Sequence, residues 1–166
     1  MPPIMRPARP DDIDAIVAVQ RASILGLAVG VYGAEGAAAW AEASAAHAPT
    51  LLGSGTFFVA EEEAAGRVVA VGGWSPHDRR PDAAWIRSLF VHPERAGRGL
   101  GRRLVAMIEA SARAAGRTAF VVRASLNAVG FYEKMGYTEV ERSHWPLPSG
   151  LELEHVLMAK GGGDRA

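Results

Sequence analysis

Hydrophobic and polar positions along the chain follow two rhythms, and the switches between them mark the elements. Near the start, Ile13, Ile16, Val17, Gln20, Ile24 and Leu27 recur at helical spacing, after Pro10 and the capping carboxylates Asp11 and Asp12. Residues 4–8 precede this helix as a short strand. Gly30 and Gly33 bracket Tyr32 in a loop, and an alanine-rich helix carrying Trp40 follows over 34–46, stopped by Pro49. The rhythm then shortens to that of strands. Residues 56–62 and 67–74 pair across a turn at Ala65-Gly66, and 83–91 add a further strand. Leu100, Leu104, Val105, Ile108 and Ala112 restore helical spacing over 99–115, closed by Gly116. A strand over 118–124, a short helix over 128–135 closed by Gly136, and a hairpin of 137–143 with 151–158 complete the chain. The order β-α-α-β-β-β-α-β-α-β-β predicts a mixed α/β (α+β) sheet, not a doubly wound one. There is neither an internal repeat nor an interdomain linker. One domain is expected over 1–160, with a disordered tail over 161–166.

Composition narrows the function classes. A chain of 166 residues, 49% hydrophobic and 22% charged, is long and apolar enough to bury a sizeable core. Lys and Arg total 18, as do Asp and Glu, so no overall field favours nucleic acid or an anionic membrane, and neither is expected as a partner. No apolar run reaches bilayer length, and the first residues, with Arg6, Arg9, Asp11 and Asp12, do not read as a signal peptide. Without cysteine there is no disulfide, no thiolate metal site and no thiol nucleophile, which fits a cytoplasmic protein.

The chemistry concentrates in Val91-His92-Pro93-Glu94-Arg95-Ala96-Gly97-Arg98-Gly99-Leu100-Gly101-Arg102-Arg103-Leu104. A strand enters this stretch and a helix leaves it. The first N–H groups of a helix lack internal partners, and its dipole is positive at that end. Gly97, Gly99 and Gly101 let the backbone approach a ligand, while Arg98, Arg102 and Arg103 add positive charge. The loop reads as a pyrophosphate cradle. It is not a P-loop, because no Lys-Ser or Lys-Thr follows the glycines. It is not the dinucleotide fingerprint either, whose third glycine would fall on Arg102.

Gly97 to Gly101 resembles the acyl-coenzyme A loop [Q/R]-x-x-G-x-[G/A] of the GNAT family of N-acetyltransferases. Gly99 and Gly101 fill the small positions, and the leading position falls on Ala96, with Arg95 one residue early. A second segment, Asn127-Ala128-Val129-Gly130-Phe131-Tyr132-Glu133-Lys134-Met135-Gly136-Tyr137, resembles that family's N-x-x-x-F-Y-x-x-x-G-[F/Y] element. The resemblance implies a single-domain GNAT fold: a central, mostly antiparallel sheet flanked by helices, with two parallel strands splayed apart to admit the pantetheine arm. It implies acetyl-CoA as cosubstrate and acetyl transfer to a primary amine of a small molecule or peptide by direct attack. Leu89, Phe90 and Val91 would meet the pantetheine and thioester through their backbone. Arg98, Gly99, Leu100, Gly101, Arg102 and Arg103 would meet the phosphates, Asn127 the pantetheine, and Tyr132 the departing thiolate as general acid. A homodimer is also implied, with Trp145 and Leu147 near the closing turn available to a second copy.

Other readings stay open at this stage. A non-catalytic acyl-CoA sensor or interaction module would keep the same loop. Asn127 also suits a plain helix cap, and of the adjacent pair Phe131 is expected in the core with Tyr132 facing the cofactor. Many relatives carry a basic Glu where this chain has Trp85; Glu61, His77, Asp78 and Glu133 are the substitutes to consider. Trp74, Trp85, Tyr32 and Trp40 are candidates for an acceptor pocket. His47, His77, His92, His144 and His155 show no close ligand spacing, so no metal is expected. G-x-S-x-G is absent, which removes a serine hydrolase. Neutral charge does not choose among polyamine, aminoglycoside, peptide and amino acid.

Overall fold

The computed structural model describes residues 1–162. The elements are β1 Ile4–Pro7, α1 Ile13–Leu27, α2 Val29–Leu52, β2 Phe57–Glu62, β3 Arg67–Pro76, β4 Ala83–Val91, α3 Leu100–Ala114, β5 Ala119–Ser125, α4 Val129–Lys134, β6 Thr138–Pro146 and β7 Glu152–Lys160. The strands form one sheet in the order β1-β2-β3-β4-β5-β7-β6. Every neighbouring pair is antiparallel except β4 with β5. That parallel pair is joined only at Ala83–Ala119, Ala84–Phe120 and Trp85–Val121, after which the two strands part. The expected splayed sheet is therefore present.

Helices cover both faces of the sheet, and this explains the apolar run of β3, in which every residue from Val68 to Trp74 is buried. On one side Ile16, Val19 and Ile24 of α1, with Ala37 and Ala41 of α2, pack on Val59, Val71 and Phe90. On the other, Leu104, Val105, Ile108 and Ala112 of α3 pack on Val69, Ile86, Phe120 and Val122, joined by Tyr132 and Tyr137. β6 ends the sheet with most of its residues exposed. Among the described residues no helix is long and apolar enough to cross a membrane.

Two local expectations are corrected. The stretch around Gly30 and Tyr32 is helical, broken only at Gly33, whose φ of +73° interrupts the ladder. Pro49 does not stop α2. It sits exposed in the last turns, while Ala48 and Leu51 on either side are buried and hold those turns against the core. Burial outweighs the one hydrogen bond that proline removes. At the other end, Gly161 and Gly162 lie against Thr118 and Ala119, and the remainder of the expected tail lies outside the described residues.

A buried polar cluster ties α3 to the end of β7 on its own side of the sheet. Glu109 is only 3% exposed. It accepts the Tyr137 hydroxyl at 2.7 Å and the Lys160 ammonium at 3.0 and 3.2 Å. Burial, and then the Glu109 charge, raise the Tyr137 phenol well above its ordinary range, so it stays a donor.

Candidate functional site

β4 carries a bulge where it faces β3. Phe90 pairs with Val71 but Arg87 pairs with Gly73, so Ser88 and Leu89 together oppose Gly72. Ser88 has a φ of +49°, the one positive value outside glycine among the described residues. Gly72 makes room for the bulge, since a Cβ there would meet Leu89 Cδ1 and Ile108 Cδ1 at 3.0 Å. The bulge sits beside the gap where β4 and β5 separate. Backbone groups on the β5 side of β4 beyond Trp85, where Leu89, Phe90 and Val91 lie, have no strand partner there.

Two clefts meet at this gap. The larger, about 610 Å³, is lined by Ser23 and Leu27 of α1, Leu89 and Val91 of β4, residues 95–97 and 99–102 except Arg98, and Asn127, Phe131 and Lys134. The smaller, about 240 Å³, is lined by Trp85 to Phe90 of β4, Val122 to Ser125 of β5, Trp40 and His47 of α2, Tyr132 and Trp145. Ser23, Leu89, Asn127 and Ala128 belong to both walls, so the clefts are continuous. An elongated ligand can lie in the first and present its end to the second.

The glycine loop has the backbone its sequence demands. Gly97 and Gly99 have φ of +74° and +79°, and Gly99 is the residue from which α3 starts. Gly101 plays a different part. It lies within the helix, and a Cβ there would meet Phe131 at 3.3 Å and Val91 at 3.4 Å, so its smallness lets α3 close on the cleft wall. Leu100 is buried beneath the loop. Of the loop arginines, Arg102 lines the larger cleft, while Arg98 and Arg103 are exposed and line neither. Arg95 reaches the wall but its guanidinium is paired with Glu62. Lys134 supplies a second cation to the wall, one that the sequence reading passed over.

Asn127 is not a helix cap. α4 starts from Ala128 with no side-chain cap, and Asn127 lies exposed on both cleft walls. The roles of the aromatic pair are reversed relative to expectation. Phe131 is half-buried on the wall of the larger cleft, and Tyr132 is the more deeply placed, 4% exposed and edge-on to Phe131 and Tyr137. Helix α4 is short and packs by its Tyr132 side, which decides the matter. Tyr132 still borders the smaller cleft, and burial pushes its phenol well above the ordinary value, so the hydroxyl keeps its proton.

The smaller cleft gathers three of the four tryptophans. Trp40 stacks obliquely on Phe90 at 5.7 Å and on Trp145 at 5.6 Å, and Trp145 in turn stacks on His155 at 4.5 Å. Trp145 therefore faces inward and is not offered to a second copy. Trp74 belongs to the opposite core, its indole N–H donating to Ser111 Oγ at 3.0 Å. Tyr32 braces the cleft from behind: its hydroxyl donates to the Glu154 carbonyl at 2.6 Å and accepts the Leu126 N–H at 3.0 Å. None of Glu61, His77, Asp78 and Glu133 lines the cleft. Glu61 is bound by Arg6, and Asp78 accepts the Trp85 indole N–H at 3.3 Å. His47, an imidazole that the sequence reading did not single out for chemistry, is on the wall instead.

A strand that bulges and parts from its parallel neighbour, a positive-φ glycine opening a helix and two adjoining clefts make up the candidate site. The model of the acetyltransferase (GNAT) domain family matches residues 53–139. A GCN5-related N-acetyltransferase structure from Rhodopseudomonas palustris is 30% identical, with a TM-score of 0.84, over 97% of this chain and 96% of that one. The chain belongs to the GNAT acetyltransferase family. More distant structures share the fold. The PaiA N-acetyltransferase from Thermoplasma acidophilum, in complex with coenzyme A, is 18% identical with a TM-score of 0.75, over 97% of this chain and 99% of that one. A GNAT acetyltransferase from Brucella melitensis, in complex with acetyl-CoA, is 20% identical with a TM-score of 0.68, over 98% and 90%. No curated protein sequence matches.

Proposed function

We propose that the protein transfers an acetyl group from acetyl-CoA to a primary amine by direct attack, with no acyl-enzyme. The observation that carries this reading is the junction of the two clefts at Leu89 and Asn127, with the Tyr132 ring on its wall. The larger cleft would hold the coenzyme. N–H groups at the start of α3 and the Arg102 and Lys134 cations suit its phosphates, and Asn127 suits the pantetheine amides. Arg98 and Arg103, exposed and off both cleft walls, add positive charge for those phosphates. Backbone N–H groups of Leu89 to Val91 would polarise the thioester carbonyl as an oxyanion hole does. The coenzyme supplies an activated acetyl group; the chain supplies placement. Tyr132 holds a proton for the sulfur that leaves. No carboxylate lines the smaller cleft, so the proton given up by the amine passes to water, and the imidazole on that wall is His47.

Two expected results check the coenzyme site and the assembly. Gly99→Asp places a carboxylate and a side chain at φ +79° on the phosphate path, so coenzyme A affinity in calorimetry should fall about tenfold or more, and wild-type affinity should weaken as salt rises. Unchanged affinity in Gly99→Asp would remove the loop from the site. The assembly proposed is a homodimer joined along the free edge of β6, where Val140 is exposed. Light scattering should then give twice the 17.5 kDa chain mass; the mass of one chain at high concentration would refute it.

A further inference from the structure

The charge lining the smaller cleft is of one sign. Arg87 and Arg123 face it from β4 and β5, and no Asp or Glu is on its wall. Both guanidinium groups attend the same ring: Arg123 lies 4.1 Å and Arg87 5.5 Å from the centre of Trp85. Among the described residues neither forms an ion pair with a carboxylate. Arg87 donates to Ser75 Oγ at 3.0 Å, a neutral partner. Asp78, the acid whose charge reaches Arg87, is exposed and engaged by the Trp85 indole N–H at 3.3 Å and by His77 at 3.5 Å, whose ring stacks on Trp85 at 4.9 Å. Arg87 is half-buried, and burial together with the Arg123 charge disfavours its charged form. Two like charges gathered at the mouth of a gap, one of them half-buried, in no ion pair and offset only by the charge of the exposed Asp78, are costly unless an anion completes them.

We propose that the amine acceptor is a free amino acid whose carboxylate is held between Arg87 and Arg123, a subsite that rests on the acetyl-transfer reading for the fate of the amine. Guanidinium forks match carboxylate geometry, and the volume of about 240 Å³ suits a molecule of amino-acid size. Trp40, Phe90 and Trp145 offer an apolar wall to its side chain. The same positive lining opposes polyamines and other polycations.

The test uses the whole chain in complex with coenzyme A. The twenty L-amino acids, their carboxamides and spermidine are compared by calorimetry, and by thiol release with acetyl-CoA in place of coenzyme A. At least one amino acid should bind and turn over at least tenfold better than its carboxamide, and spermidine should be poorest. Arg123→Gln, on an exposed side chain, and Arg87→Lys should each raise the KM for that amino acid about tenfold or more, with kcat and the carboxamide's KM changed far less. Coenzyme A affinity and melting temperature check that each variant is folded. No amino acid preferred over its carboxamide in binding, or an equal rise in KM for both acceptors in Arg123→Gln, would overturn the subsite. If an amino acid binds through the arginines but no thiol is released, the subsite stands and the transfer reading fails.

Discussion

Tyr132→Phe is expected to slow turnover by about 10²-fold or more while leaving coenzyme A affinity within about twofold. The ring is 4% exposed and packs edge-on to Phe131 and Tyr137, and the substitution keeps every one of those contacts. Only the hydroxyl is lost. Because burial raises the phenol well above its ordinary range, the wild-type proton stays in place through neutral and mildly alkaline pH, so Tyr132 itself should add no falling limb to the rate there. Single-turnover kinetics on both forms separates the chemical step from product release. Full turnover in the Phe form, with chemistry rate-limiting, would reduce Tyr132 to a packing residue.

The largest loss of stability is expected at Glu109, away from the clefts. Removing its carboxylate leaves the Lys160 ammonium and the Tyr137 hydroxyl without their buried acceptor. Breaking a buried pair from one side costs about 3–5 kcal/mol. Glu109→Ala should show this in denaturant unfolding, and Glu109→Leu combined with Lys160→Met should recover the part due to the stranded charge, with the Tyr137 hydroxyl still lacking its acceptor. A loss below about 1 kcal/mol would mean that water screens the cluster as it screens a surface pair.

The sequence disclosed the parts of the site that depend on local backbone. Gly97, Gly99 and Gly101 mark a close approach of backbone, and Asn127 and Tyr132 stand at fixed distances in the chain. What it disguised depends on which surface a segment buries. Phe131 and Tyr132 are adjacent aromatics of similar size, and only the packing of α4 decides which goes deeper. Pro49 reads as a stop until Ala48 and Leu51 are seen anchored on either side of it. Ser23, Leu27 and His47 reach the clefts across the fold, and no local pattern marks them. Arg87 and Arg123 did leave a signal: each is a lone charge inside an otherwise apolar strand, where a guanidinium is costly unless it has work to do.

The uneven placement of the tryptophans has a practical consequence. Trp40, Trp85 and Trp145 line the smaller cleft, and Trp74 is hydrogen-bonded to Ser111 in the opposite core. By tryptophan count, intrinsic fluorescence is thus weighted three to one toward the smaller cleft. A molecule that enters there displaces water from indoles already in contact with Arg123 and His155, so its arrival changes emission without any attached dye. Trp74 contributes a steady background. The protein carries its own optical gauge of what occupies that cleft, readable before any bond is made or broken.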